Sequence, residues 1–168
     1  MDAQRLYFSN PRQPDTFSSD AYFEVGTREG GDITGLAPYY NSLLIFRETA
    51  IDLIRGDALN GFELVPFIQG IGTTSPGAIV PIPNRGISFI SKDGIYLISG
   101  GLDGGEKLTL NKISQGLEEF FDRANIDKLP QATGAYSSKD REVHYYFSAD
   151  GKTFNSIGLV YHFDAKTW

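Results

Sequence analysis

Two histidines, three Asp-Gly pairs and a cluster of glycines are the residues of this chain best suited to chemistry. His144 and His162 both fall inside expected strands, where they could present two imidazoles to a metal across one sheet. A zinc-type site needs further donors, and none recurs beside them, so both read as strand or interface histidines. Asp93-Gly94, Asp103-Gly104 and Asp150-Gly151 lack the alternating acids of a calcium loop and read as hairpin turns. Gly100-Gly101 and Gly104-Gly105 precede no helix whose N-terminus could hold a phosphate. Glu118-Glu119 belongs to an exposed helix face. With no cysteine there is neither a thiol nucleophile nor a thiolate ligand, and no Ser-His-Asp arrangement stands out. Tyr and Phe side chains could stack on sugars, but core packing explains them more simply. No catalytic, cofactor-binding or metal residue is assigned, and the chain is expected not to be an enzyme.

The elements that position these residues are strands. Twelve Phe, nine Tyr and nineteen Gly against one Met and one Trp make a strand-and-turn palette. A formal charge of −6 argues against a phosphate-binding surface and reads first as a surface tuned for solubility, with an acidic wall past which DNA could slide without sticking as the alternative. The start of the chain lacks the basic and apolar regions of a signal peptide, and no apolar run reaches the ~20 residues of a membrane span, so no membrane insertion is expected.

An internal repeat organises the chain. Leu36–Gly56 and Ile79–Gly100 align so that Pro38 falls on Pro81, Asn41 on Asn84 and Phe46 on Phe89, each 43 positions apart. After one inserted turn residue, Ile51, Leu53 and Gly56 match Ile95, Leu97 and Gly100 at a spacing of 44. That period is expected of one four-stranded propeller blade. Each copy reads as a short strand (35–38, 78–82), a turn at Asn41 or at Asn84-Arg85-Gly86, a second strand (43–47, 87–91), and a third (51–55, 95–99). Outer strands follow at 62–67 and 107–113. A weaker third copy begins near Thr133, with strands at 142–147 and 156–163.

The expected fold is therefore all-β: a partial β-propeller of four-stranded antiparallel blades with one short inserted helix. Residues 1–34 would end a preceding blade, 35–76 form a blade, 77–131 a blade with a helical insertion at about 113–124 capped by Ser114, and 132–168 an incomplete blade. The runner-up is a Greek-key sandwich, which would not require matched Pro, Asn, Phe and Gly at a fixed period.

Arg5-Leu-Tyr-Phe-Ser9, the Pro-rich loop through Phe17, Phe23-Glu-Val25, Gly31-Asp-Ile-Thr-Gly-Leu36 and Leu43-Leu-Ile-Phe-Arg-Glu48 resemble a recurring pattern of the tail nozzle (tail tubular) proteins of short-tailed bacteriophages. The motif set covers about the first hundred residues. The resemblance implies a structural subunit of a phage tail ring, located in the virion and assembled in the host cytoplasm. Its partners would be further copies of itself, portal or adaptor and tail-fibre proteins, and viral DNA passing through without sequence-specific contact. No cofactor is implied. Nozzle proteins are several times longer, so the chain is expected to represent part of such a protein. Competing readings are a receptor- or carbohydrate-binding propeller module and a propeller hydrolase fragment. The first needs aromatic loops and the second convergent carboxylates. The expected loops at Asn41-Ser42, Asn84-Arg85 and Lys139-Asp140 read as polar.

Overall fold

The computed structural model describes residues 4–10, 12–26, 28–57, 61–100 and 107–168. Strand accounts for 51% and helix for 11%, so antiparallel sheet carries the fold. Arg5–Tyr7 (β1) and Tyr22–Glu24 (β2) form a two-stranded sheet. Ile33–Tyr39 (β3), Ser42–Arg47 (β4), Ala50–Asp57 (β5) and Gly61–Gln69 (β6) pair in chain order into a first four-stranded sheet. Ile79–Ile82 (β7), Gly86–Ser91 (β8), Gly94–Ser99 (β9) and Thr109–Lys112 (β10) make a second in the same order. Thr133–Ser137 (β11), Glu142–Phe147 (β12) and Ile157–His162 (β13) make a third of three strands. The two repeat copies therefore occupy different sheets, one in β3–β5 and the other in β7–β9.

Local backbone chemistry sets the turns. Asn84 takes the left-handed backbone between β7 and β8, at φ 59°, as its short amide side chain permits. In the first sheet the corresponding residue is Tyr40, at φ 50°, and not the expected Asn41. In the third sheet Arg141, at φ 56°, does the same work.

Alternation along each strand decides the stacking. Ala37, Leu44, Phe46 and Ile51 of the first sheet pack on Ile87, Phe89, Tyr96 and Ile98 of the second. The opposite parity of the second sheet, including Val80, Ile90 and Ile95, packs on Val143, Tyr145 and Phe147 of the third. All six residues of β8 are buried, as a strand covered on both faces requires. Its one polar core residue at this second interface, Ser88, is hydrogen-bonded to the buried Tyr145 hydroxyl at 2.8 Å, so neither desolvated group is left unmatched. Phe46 and Phe89 meet edge to face at 5.2 Å, a favoured aromatic geometry. On its other side the first sheet carries β1 and β2, through Val25, Ile45 and Ile54.

The expected helix over 113–124 is shorter than its sequence suggests. Only Glu118–Asp122 (α1) is α-helical, and Leu117 precedes it without a side-chain cap. Ser114 is buried, and its Oγ accepts the Ile95 N–H at 3.0 Å. A donor left over at the edge of β9 thus claims the hydroxyl that would have capped a helix. A 3-10 segment, Ile126–Gln131, follows. Phe121 and Leu129 enter the core between the second and third sheets, so this connection fills an interface as well as linking strands. Beyond β13, Thr167 bridges back to His162, and Trp168 Nε1 donates to Ile113 O at 2.7 Å. Among the described residues no helix is long and apolar enough to cross a membrane.

Gly134 of β11 lies where a Cβ would come within 2.6 Å of Val80 Cγ2 and 2.7 Å of the Tyr145 ring. Gly134→Ala should therefore force the second and third sheets apart and cost about 1–3 kcal/mol. Phe89→Ala at the other interface should cost about 3–5 kcal/mol. Urea unfolding of each variant measures these values. A loss under about 0.5 kcal/mol for either would show that the sheets are not tightly stacked at that point.

Candidate functional site

The structure disperses the residues with chemical potential. His144 and His162 share the outer face of the third sheet, because Glu142 pairs with His162 and His144 with Val160 in the β12–β13 register. Glu142 carboxylate lies 3.3 Å from His144 Nε2, and His162 Nδ1 accepts the Ala165 N–H at 3.2 Å. Among the described residues, no three His, Asp or Glu side chains are grouped as metal ligands. Asp93 turns β8 into β9 and accepts the Tyr96 hydroxyl at 2.8 Å. Its charge and the burial of Tyr96 both push the tyrosine pKa up, with burial the larger cause. Asp150 is held by Arg123 through two contacts at 2.9 and 2.7 Å, and this bond lowers its pKa. The residues Gly101, Asp103, Gly104 and Gly105 lie outside the described residues. Glu118 and Glu119 are exposed, and Glu118 accepts the Gly116 N–H.

Two features escaped the sequence reading. The first is a buried ion pair. Arg47 and Asp52 are each 2% exposed and sit on the first-sheet face that looks toward β1 and β2. Arg47 NH1 lies 3.5 Å from Asp52 Oδ2, an oxygen that makes no hydrogen bond. Arg47 Nε donates to Gly31 O at 3.1 Å, and its own carbonyl accepts the Thr73 N–H at 2.9 Å. A Cβ at Gly26 or Gly30 would overlap the guanidinium, so glycine at these two positions lets the backbone there lie against it. One side chain thus ties the loop after β2 to β4 and β5, while its carbonyl holds the segment leading to the second sheet. Burial raises the Asp52 pKa, and the charge of the neighbouring Arg47 offsets this in part. A signal for the pair existed: a charged residue on the same parity as buried apolar neighbours, Ile45 before Arg47 in β4 and Ile54 after Asp52 in β5.

The second feature is an apolar groove of about 760 Å³ between β1–β2 and the first sheet. Tyr7, Phe8, Leu36, Tyr40 and Phe62 line it, and all five are large apolar residues left exposed. Tyr40 is 50% exposed even though its backbone is left-handed. A bulky residue in that conformation costs about 1–2 kcal/mol over glycine, offset in part by the edge-to-face contact of its ring with Tyr39 at 4.7 Å. Such a concentration of exposed apolar surface marks an interaction site better than scattered residues do. The turn between β3 and β4 is Tyr40-Asn41, one residue earlier than the expected Asn41-Ser42, and so includes an aromatic residue.

No protein-family model matches this chain, and no curated protein matches it.

Arg47→Met should destabilise by about 3–5 kcal/mol, because it strands a buried carboxylate. Arg47→Met combined with Asp52→Leu should recover most of that loss. If the double variant is as unstable as the single one, the pair is not what Arg47 contributes. A raised folded-state pKa means the Asp52 contribution strengthens as pH falls through that pKa toward the unfolded value, and weakens as pH rises through it. The unfolding free energy of the parent relative to Asp52→Asn should thus increase from about pH 7 to about pH 4. A flat or opposite trend would reverse the assigned direction.

Proposed function

We propose that this chain is a structural component of a bacteriophage tail, a segment of the nozzle ring through which the genome leaves, and that its sheets are consecutive blades of a partial β-propeller with one short inserted helix. One observation carries the reading. Two copies of a repeat spaced by 43 residues lie in successive four-stranded meanders that stack face to face in chain order. The first strands β3, β7 and β11 are neighbours from sheet to sheet, the relation expected of blades radiating from a common axis. The Arg5–Ser9 and Gly31–Leu36 motifs that resemble nozzle proteins fall in β1 and at the entry to β3. On this reading the work is mechanical, done by shape and subunit contacts, with no assigned catalytic residue or cofactor. Its partners are further copies in a ring, portal or adaptor and fibre proteins, and DNA passing along an acidic wall.

A receptor- or carbohydrate-binding module is the second reading. The exposed Tyr40 and Phe62 rings favour it, since aromatic faces stack on sugars. Immunogold labelling and cryo-electron microscopy of the parent virion separate the two. The nozzle reading expects label at the tail and density in symmetric copies around an axial channel. Label on the capsid or at fibre tips would sink it, and saturable glycan binding abolished by Tyr40→Ala would favour the module.

A further inference from the structure

We propose that the apolar groove is a docking site for an extended segment of a partner chain, which adds as a strand beside β1 and lays alternate apolar side chains over Leu36, Tyr40 and Phe62. This inference rests on the packing of the first sheet and not on the tail assignment. The groove continues an interface already formed by a sheet: Leu6, Phe23, Leu43 and Ile54 line it and also belong to the apolar cluster under β1 and β2. The cover is too narrow for what it covers. Two strands of three residues lie over a sheet of four strands that are six to nine residues long. The second sheet, by contrast, faces sheets of four and three strands.

Backbone polarity selects a strand as occupant. Phe8 N donates to Ala21 O, and Val25 N donates to Gln4 O. In an antiparallel ladder successive residues alternate between facing the partner and facing away. Tyr7 therefore directs its N–H and C=O away from β2, on the strand whose residues 6–10 line the groove. An extended segment can satisfy that edge while burying one parity of its side chains, which is the usual logic of strand addition. A sugar or a small apolar molecule would fill the volume and leave the edge unmatched.

The test uses the whole chain and a capped seven-residue peptide of alternating valine and threonine as probe. Binding is followed by NMR, together with amide exchange at Tyr7. The proposal expects saturable binding below about 1 mM, with Tyr7 exchange slowed by about tenfold. The same peptide N-methylated at every second residue should bind about tenfold more weakly, as should the parent peptide to Leu36→Asp with Phe62→Asp. Both substituted residues are exposed, so the variant should fold. Equal binding of the two peptides would show an apolar sink and overturn the proposal. It would also be overturned by no binding up to about 1 mM, or by a concentration-dependent dimer that buries Tyr40 in the chain alone. None of these outcomes bears on where the protein sits in a virion.

Discussion

Each four-stranded sheet carries apolar side chains on both parities, so each needs cover on both faces. An isolated meander buries too little to offset the entropy of ordering it, and its exposed face would recruit whatever apolar surface it met. Stacking solves this for the second sheet, whose faces are closed by the first sheet on one side and the third on the other. The demand propagates outward. The first sheet takes β1 and β2 as a partial cover, and the third keeps an outer face of mixed character with Glu142, His144, Tyr146 and Val160. The architecture is a consequence of this requirement, and its incomplete fulfilment at the first sheet creates the groove.

Polar groups inside the stack obey the same constraint. The Ser88–Tyr145 pair crosses one interface as a matched hydrogen bond, and the Tyr39 hydroxyl donates to Gly100 O as a tie between the first and second sheets. Arg47 is the costly exception. A buried ion pair at 3.5 Å recovers only part of its desolvation, so it is weak evidence for stability as such. What it provides is position: the guanidinium holds the loop between the two-stranded sheet and the first four-stranded sheet, and only glycine at 26 and 30 leaves room for it.

Function on this reading resides in surfaces. The dispersal of His144, Asp93 and Asp150 into hairpin turns and surface ion pairs leaves those groups occupied with local structure. The aromatic rings along the groove have ring partners on one side, Tyr22, Phe23 and Tyr39 against Tyr7, Phe8 and Tyr40, yet each keeps a large exposed face.

The strands were legible because their signals are local. Period-two alternation, Asn84 and Asp93-Gly94 each act within a few residues, and the expected second strands at 43–47, 87–91 and 142–147 each fall within one residue of the observed ones. The repeat also placed its two copies in equivalent sheet positions, since equal spacing of turns makes equal meanders. The helix was overestimated because Ser114 has two suitors, an adjacent helix start and a distant strand edge at Ile95, and only the tertiary fold ranks them. Arg47 and Asp52, five residues apart in chain order, become an ion pair only once the β4–β5 turn sets them on one face, with Gly26 and Gly30 against the guanidinium. The groove is still less local: residues from β1, the β3–β4 turn and β6 form it together. Sequence by itself determined which segments become strands and where they reverse. Which faces meet, which charges are buried and which apolar rings stay uncovered was decided by the stacking, because burial is a property of neighbours that are distant along the chain.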